Sequence, residues 1–148
     1  MINSHREFIL DLKKRLLNNA DAIFGDTPAL LAYFYGSCAI GQSHTFSDLD
    51  IAIYLRKPLN ISESIKLEMD LALRIDSVLL DGPPSDVRIM NHLPIAIAGQ
   101  IITEGSLIYS IDEETRVEYE TFTRRLYFDF LPFVEKYQRE YLFEFETG

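Results

Sequence analysis

Between Asp48 and Leu55 the chain alternates residue by residue, with Leu49, Ile51, Ile53 and Leu55 all on one side. Successive strand side chains point to opposite faces, so a period of two specifies a strand packed against a core. Just upstream, Leu30 to Tyr35 is a short, wholly apolar run closed by Gly36, the pattern of a buried strand. These two segments fix the character of the fold, and the rest of the chain supplies helices around them.

Ser4-His5-Arg6-Glu7 has the spacing of a helix capping box, and Phe8, Leu12 and Leu16 follow at i, i+4 and i+8. A first helix is therefore expected from about residue 5 to the high teens, with Gly25-Asp26-Thr27-Pro28 as punctuation. Arg56-Lys57-Pro58 ends the alternating strand. Ser62 then caps a helix on which Ile65, Met69, Ala72, Ile75 and Leu79 recur at helical spacing. Asp81-Gly82-Pro83-Pro84 is a strong stop, and Asp86 to Met90 reads as a third strand. Pro94 suits the first turn of a helix through about Thr103, with Gly105 as its C-terminal cap. Ser106 to Ser110 fits a short edge strand. Asp112 caps a last helical segment with Glu113 and Glu114 in its first turn, where the helix dipole favours negative charge. The order predicts one α/β (α+β) domain over residues 1–148, a small mixed β-sheet flanked by helices. Its core is expected at about 28–110 and a C-terminal helical segment at about 112–146.

Charge restricts the partners. The 148 residues carry 14 Lys and Arg against 23 Asp and Glu, a net −9. Nucleic-acid binding draws on cations that release counterions from phosphates, so no direct nucleic-acid partner is expected. The longest cationic run, Lys13-Lys14-Arg15, reads as the solvated face of the first helix. A nucleotide held through a metal ion is compatible with acidity, because the cation bridges two negative partners. The single cysteine, Cys38, excludes an internal disulfide. No apolar run approaches the ~18–20 residues of a membrane span, and Met1 to Glu7 does not read as a secretory signal. A soluble protein of the reducing cytoplasm, with no membrane partner, is the expectation.

The stretch that carries chemistry runs from Gly36-Ser37 to Asp48-Leu49-Asp50. Asp48 and Asp50 lie at i and i+2 of a strand and project to one side, while Leu49 and Ile51 enter the core from the other. At roughly 5 Å and an effective dielectric of ~20, two carboxylates repel by about 3 kcal/mol, which calls for a compensating cation. Two oxygen donors on a rigid backbone suit Mg²⁺ bound together with a substrate's phosphates. Gly36 permits a sharp turn, and the backbone N–H groups around Ser37 can form an anion nest to which its hydroxyl adds a donor. Asp-x-Asp alone arises about once by chance in a chain with 11 aspartates. Requiring Gly-Ser at one fixed upstream position lowers that to roughly one chance in 400. The other Gly-Ser, Gly105-Ser106, has Val117 and Tyr119 at the equivalent downstream positions.

Gly36-Ser37, ten intervening residues and Asp48-Leu49-Asp50 resemble the signature of the polymerase-beta-like nucleotidyltransferases in their minimal, MNT form. The likeness extends over roughly residues 30 to 90, and Gly99 to Tyr109 is similar to the helix-then-Gly-then-Tyr segment of that group. The resemblance implies a minimal nucleotidyltransferase fold, ATP as substrate, Gly36 and Ser37 against its phosphates, and Mg²⁺ in a two-metal site held by Asp48 and Asp50. It also implies a third acid from a later strand, for which Asp86 is the candidate. Asp86 is open to three readings: general base, metal ligand, or cap of the turn after Pro83-Pro84. Arg88 shares its face and suits either a phosphate contact or an ion pair with that acid. Asp76 and Asp81 read as solvated. Cys38 reads as a small packed residue and His44 as a solvent-exposed loop residue, while His5 and His92 lack metal-ligand spacing.

Ten of the 18 aromatics fall between Tyr119 and Phe145. Tyr119, Phe122, Leu126, Phe130, Phe133, Tyr137 and Tyr141 form one helical stripe, and Tyr127, Leu131 and Val134 a second. Two readings stand: all of it is core, or the surplus stripe meets another protein, one that is basic where it faces the interleaved glutamates. Pro132 should kink or interrupt the segment. Small MNT proteins resemble the antitoxin half of type VII-like pairs whose other half is a helical HEPN ribonuclease. That resemblance implies a heteromeric complex with a HEPN toxin and neutralisation by transfer of AMP from ATP to a toxin tyrosine. The ribonuclease's own Arg-x4–6-His pattern is absent, since only three residues separate Arg88 from His92. Two further readings are an antitoxin that acts by binding alone and a small-molecule, aminoglycoside-type nucleotidyltransferase.

Overall fold

The alternating stretch forms an inner strand of a four-stranded sheet in a computed structural model that describes residues 2–35 and 49–147. The chain begins with helices α1 (Ile2–Asn18) and α2 (Ala20–Phe24) and strands β1 (Ala29–Tyr35) and β2 (Leu49–Leu55). Helix α3 (Ile61–Val78), strand β3 (Ser85–Ile89) and a 3-10 turn (Met90–His92) follow. Helix α4 (Ile95–Glu104), strand β4 (Ser106–Ser110) and helix α5 (Glu113–Thr147) complete it. The strand order is β3-β2-β1-β4; β1 runs antiparallel to β2 and β4, whereas β2 and β3 are parallel. This is the mixed α/β architecture the sequence predicts, with the short α2 added.

The sheet has two covered faces. On one, Phe34, Leu49, Ile51, Ile53, Val87 and Ile108 pack against Leu12 and Leu16 of α1, Ile23 and Phe24 of α2, and Leu71 and Ile75 of α3. Each such fully buried aliphatic side chain stabilises the fold by roughly 1.5–3 kcal/mol. On the other, Leu31, Tyr33, Ala52 and Met90 pack against Ala98, Ile101 and Ile102 of α4. Farther along that second face, Tyr54 of β2 stacks on Tyr119 of α5 with ring centroids 4.0 Å apart. Among the described residues, no helix is long and apolar enough to cross a membrane.

Several local expectations are corrected. α1 already runs through Ser4, so the Ser4–Glu7 box does not cap it; Ile9 is buried in place of Phe8, which is exposed. Asn60, not Ser62, caps α3: its side-chain oxygen accepts from Glu63 N at 2.8 Å. Ile65 and Met69 lie on the exposed side of α3, and the buried line is Leu71, Ile75 and Leu79. Asp76 is half-buried and engaged, whereas Asp81 is exposed as expected and carries an ion pair there. Asp76 accepts from Ser85 N at 3.0 Å, and Asp81 pairs with Arg15 at 2.7 Å. Arg15 also donates to Val78 O, so one member of the cationic run ties α1 to the end of α3.

Gly105 closes α4 with its N–H on Ile101 O at 2.7 Å, but its backbone is extended and not left-handed. Glycine is required there for space. A Cβ would lie 2.5 Å from Ile101 O and 3.0 Å from Phe34 O. Asp112 caps α5 as expected, accepting from Thr115 N at 2.7 Å. α5 is continuous through Pro132, so the proline does not interrupt it. The aromatic stripe docks this helix at its start, where Tyr119 packs on the sheet, and Leu126 is half-buried, while Phe122, Phe130 and Phe133 are exposed. The inward line beside it is Arg116, Glu120, Thr123 and Tyr127, of which Glu120 and Thr123 are fully buried.

Candidate functional site

The chemistry-bearing residues meet at one end of the parallel pair. Asp50 of β2 is in register with Asp86 of β3 on one side and with Tyr35 of β1 on the other. Adjacent strands lie about 4.7–4.9 Å apart, so registered residues on one face are direct neighbours. Asp50, Ala52 and Tyr54 belong to the face covered by α4 and α5, and alternation sends Leu49 and Ile51 to the opposite core. The sequence therefore fixes Asp50 by burying its neighbours.

Asp86 is held by its strand's attachments. Ser85 N donates to Asp76 Oδ1 at 3.0 Å and Ser85 Oγ to Ala72 O at 3.1 Å, tying the head of β3 to α3. Leu49 N donates to Pro84 O at 2.9 Å, which stitches the entry of β2 to the turn before β3. At the far end, Ile89 N donates to Glu68 Oε2 at 2.9 Å. Asn91 then spans the backbone of Leu55, accepting from its N–H and donating to its carbonyl at 2.9 and 2.7 Å. Both ends of the strand that carries Asp86 are thus fastened by side chains.

Arg88, two residues on and on the same face, donates from Nε to Asp86 Oδ2 at 3.3 Å. Of the alternatives, the ion pair is the one this geometry displays. The guanidinium is raised above its ordinary value first by Asp86, then by Tyr35, with Asp50 contributing. Burial pushes the half-buried Tyr35 phenol up, and the charges of Asp50 and Asp86 push it further. Tyr35 was not singled out from the sequence, although its place directly before Gly36-Ser37, one strand from the acids, was a usable signal.

Two carboxylates side by side are mutually repulsive. At about 5 Å and an effective dielectric of ~20 the energy is on the order of 3 kcal/mol, which Arg88 offsets in part. Carboxylate oxygens on rigid strands are hard donors, and Mg²⁺ takes one or two of them together with phosphate oxygens and water. The donor set of Asp50 and Asp86 fits such an ion. Among the described residues no three acidic, His or Cys side chains converge on a metal position. Gly36, Ser37 and Asp48, together with Cys38 and His44, lie outside the described residues.

The solved structures most useful for comparison share the fold. A toxin–antitoxin crystal structure with AMP-PNP aligns at a TM-score of 0.60 and 19% identity, covering 89% of this chain and 98% of that one. A MntA–HpeT toxin–antitoxin variant with two aspartate-to-glutamate changes aligns at 0.62 and 18% identity, over 89% and 98% of the two chains. A tri-AMPylated Shewanella oneidensis HEPN toxin in complex with MNT antitoxin aligns at 0.58 and 17% identity, over 92% and 99%. No protein of curated function matches the chain. The family described as Polymerase beta, Nucleotidyltransferase matches residues 17–114, a span that takes in β1, β2, β3, β4 and the Asp50–Asp86 pair. The chain belongs to the polymerase beta nucleotidyltransferase family.

Proposed function

We propose that this protein is the antitoxin half of a type VII-like HEPN/MNT toxin–antitoxin pair and acts as a Mg²⁺-dependent protein adenylyltransferase. It would transfer AMP from ATP to a tyrosine of its cognate HEPN ribonuclease. The observation that carries this reading is the registered pair Asp50 and Asp86 on adjacent parallel strands of a nucleotidyltransferase-family chain. The fold shared with an MNT antitoxin solved with an AMPylated HEPN toxin, and with a toxin–antitoxin structure solved with AMP-PNP, supports the partner class and the nucleotide.

Asp48, Asp50 and Asp86 are the residues that would hold the metal, and Gly36 and Ser37 would lie against the phosphates. Mg²⁺, when bound, supplies positive charge where phosphate charge develops. In the transfer, the acceptor tyrosine oxygen forms a bond to the α-phosphorus from the side opposite the leaving group. The bond from that phosphorus to the bridging oxygen breaks, and pyrophosphate departs. We assign the phenolic proton to Asp86, whose position at the head of β3 leaves it half-exposed. The exposed aromatics Phe122, Phe130 and Phe133 of α5 suit contact with the protein that bears the acceptor.

The test is incubation with the protein encoded by the neighbouring reading frame, ATP and Mg²⁺. AMP-sized mass increments on a toxin tyrosine are expected, and Asp48→Asn/Asp50→Asn protein should add none. An unchanged toxin with ATP unconsumed overturns the transfer. Full protection of cells by the double variant would mean neutralisation by binding alone. Aminoglycoside resistance conferred by the chain, and lost in that variant, would point to a small-molecule acceptor.

A further inference from the structure

α3 carries two apolar stripes where docking on one sheet requires one. Leu71 and Ile75 face the core, and Leu67 packs beside them. Ile61, Ile65, Met69 and Leu73, each four residues after the last, run along the other side and are 81%, 51%, 62% and 69% exposed. A shallow groove of about 820 Å³ lies beside this stripe and takes in Pro28, Leu59 and Leu67. Scattered exposed aliphatics are ordinary, but a continuous row of four beside a groove marks an interaction surface.

The charges beside the stripe identify the occupant. Lys66 and Asp70 flank the stripe; Arg74 turns to α2, where it pairs with Asp26 at 2.6 Å and donates to Ile23 O, and it also meets Asp70 of its own helix at 3.2 Å, while Glu68 and Asp76 turn to β3. Two copies of α3 laid antiparallel set Lys66 of each on Asp70 of the other, so the pair occurs twice. A parallel arrangement would set like against like. The two charges sum to zero in a chain of net −9, so they add no repulsion at this patch. A strongly basic partner would find no complementary field here, unlike along the glutamate-rich α5.

We propose that this face of α3 is a two-fold interface between two copies of the chain, with α3 antiparallel to α3. The four apolar residues form an i, i+4 ridge, which interdigitates with an identical ridge in the commonest class of helix packing. The same patch on both subunits closes the assembly at two. α3 covers the sheet face opposite Asp50, so both carboxylate pairs remain open on the outside of the dimer.

Sedimentation equilibrium of the full chain over a concentration series tests this without reference to AMP transfer. The mass should rise from one copy to two. Lys66→Asp sets acid against acid at both crossings and Asp70→Lys sets lysine against lysine, so each variant alone should dissociate at least about tenfold more readily. The two variants complement each other at both crossings, so an equimolar mixture should form a mixed dimer. Met69→Glu should abolish association. All three sites are exposed, and unchanged circular dichroism confirms folding. A wild-type chain of single mass throughout overturns the proposal. So does a dimer indifferent to these substitutions, and so does a mixture that fails to pair.

Discussion

Replacing Gly99 by alanine asks whether α5 rests on α4 as closely as the structure places it. Gly99 is buried in the interior of α4, and a Cβ there would fall against the ring of Tyr127 and 2.5 Å from that residue's own Cβ. On helix propensity alone, alanine gains about 1 kcal/mol over glycine. Overpacking a tight contact costs about 1–3 kcal/mol, and here the obstacle is the root of a side chain, so the whole helix has to move. The balance is a net destabilisation of up to about 2 kcal/mol. With Tyr127→Gly already present the obstacle is gone, and the same substitution should stabilise by about 0.5–1 kcal/mol. Urea unfolding of the four proteins of this cycle measures a coupling of about 1–3 kcal/mol. If Gly99→Ala raises the stability of the otherwise unchanged protein by its full propensity gain, the two helices do not meet there and the account of α5 docking is wrong.

Tyr33→Phe should stabilise the protein by about 1 kcal/mol in the same assay. The Tyr33 hydroxyl is buried and finds no hydrogen-bond partner among the described residues. A loss of stability would reveal a partner for it. Burial pushes the Tyr119 phenol up to about 12 and also raises that of Tyr33. Deprotonation therefore favours the unfolded chain: the contribution is fully present below pH ~10 and is lost as pH rises towards about 12, amounting to about 2–3 kcal/mol for Tyr119. Alkaline unfolding curves should show this slope, and Tyr119→Phe should flatten it. Asn60→Ala removes the acceptor for Glu63 N and should cost about 1 kcal/mol, seen as a lowered unfolding midpoint. On the proposed function, Asp50→Asn should lower AMP transfer by on the order of 10²-fold or more while leaving the melting temperature unchanged or raised. A parallel loss of melting temperature would mean the carboxylate is structural.

Where the sequence pattern has a single solution, the fold was legible. The alternation from Leu49 to Leu55 admits one buried face, and the burial of Leu49, Ile51, Ile53 and Leu55 follows it. Asp112, the cap of α5, was legible for the same reason: an acceptor followed by a charged first turn has few other uses. α3 was not, because its sequence offers two apolar rows at the same spacing and periodicity cannot choose between them. The reading of Ile65 and Met69 with Ala72 and Ile75 mixed the rows, and packing on the sheet selected Leu71, Ile75 and Leu79. The cap of that helix was misplaced by two residues because Asn60 and Ser62 are both competent acceptors. Only the backbone decides which N–H groups remain without partners. In α5, aromatic content suggested the docked face. Tyr119 of the stripe does dock, but the line beside it is largely polar, with Glu120 buried beside Arg116 at 3.0 Å. Hydropathy cannot anticipate a buried charge that brings its own counter-ion four residues away.

The site was legible in its parts and not in its assembly. Asp50 and Asp86 are 36 positions apart, and nothing local says that their strands are neighbours in register. What joins them is the core. Within β2, Ile51 is completely buried on the face opposite Asp50. A slip of one residue would carry the carboxylate into the apolar layer and expose the isoleucine. The free energy that holds the register therefore comes from Leu49, Ile51 and Ile53, while Asp50 takes the position they leave to it. β3 follows the same logic, with Val87 and Ile89 buried and Asp86 and Arg88 on the open side. It follows that the acidic pair can be replaced without loss of the sheet. Enlarging or shrinking Ile51 or Val87, neither of which faces the site, would shift both carboxylates at once.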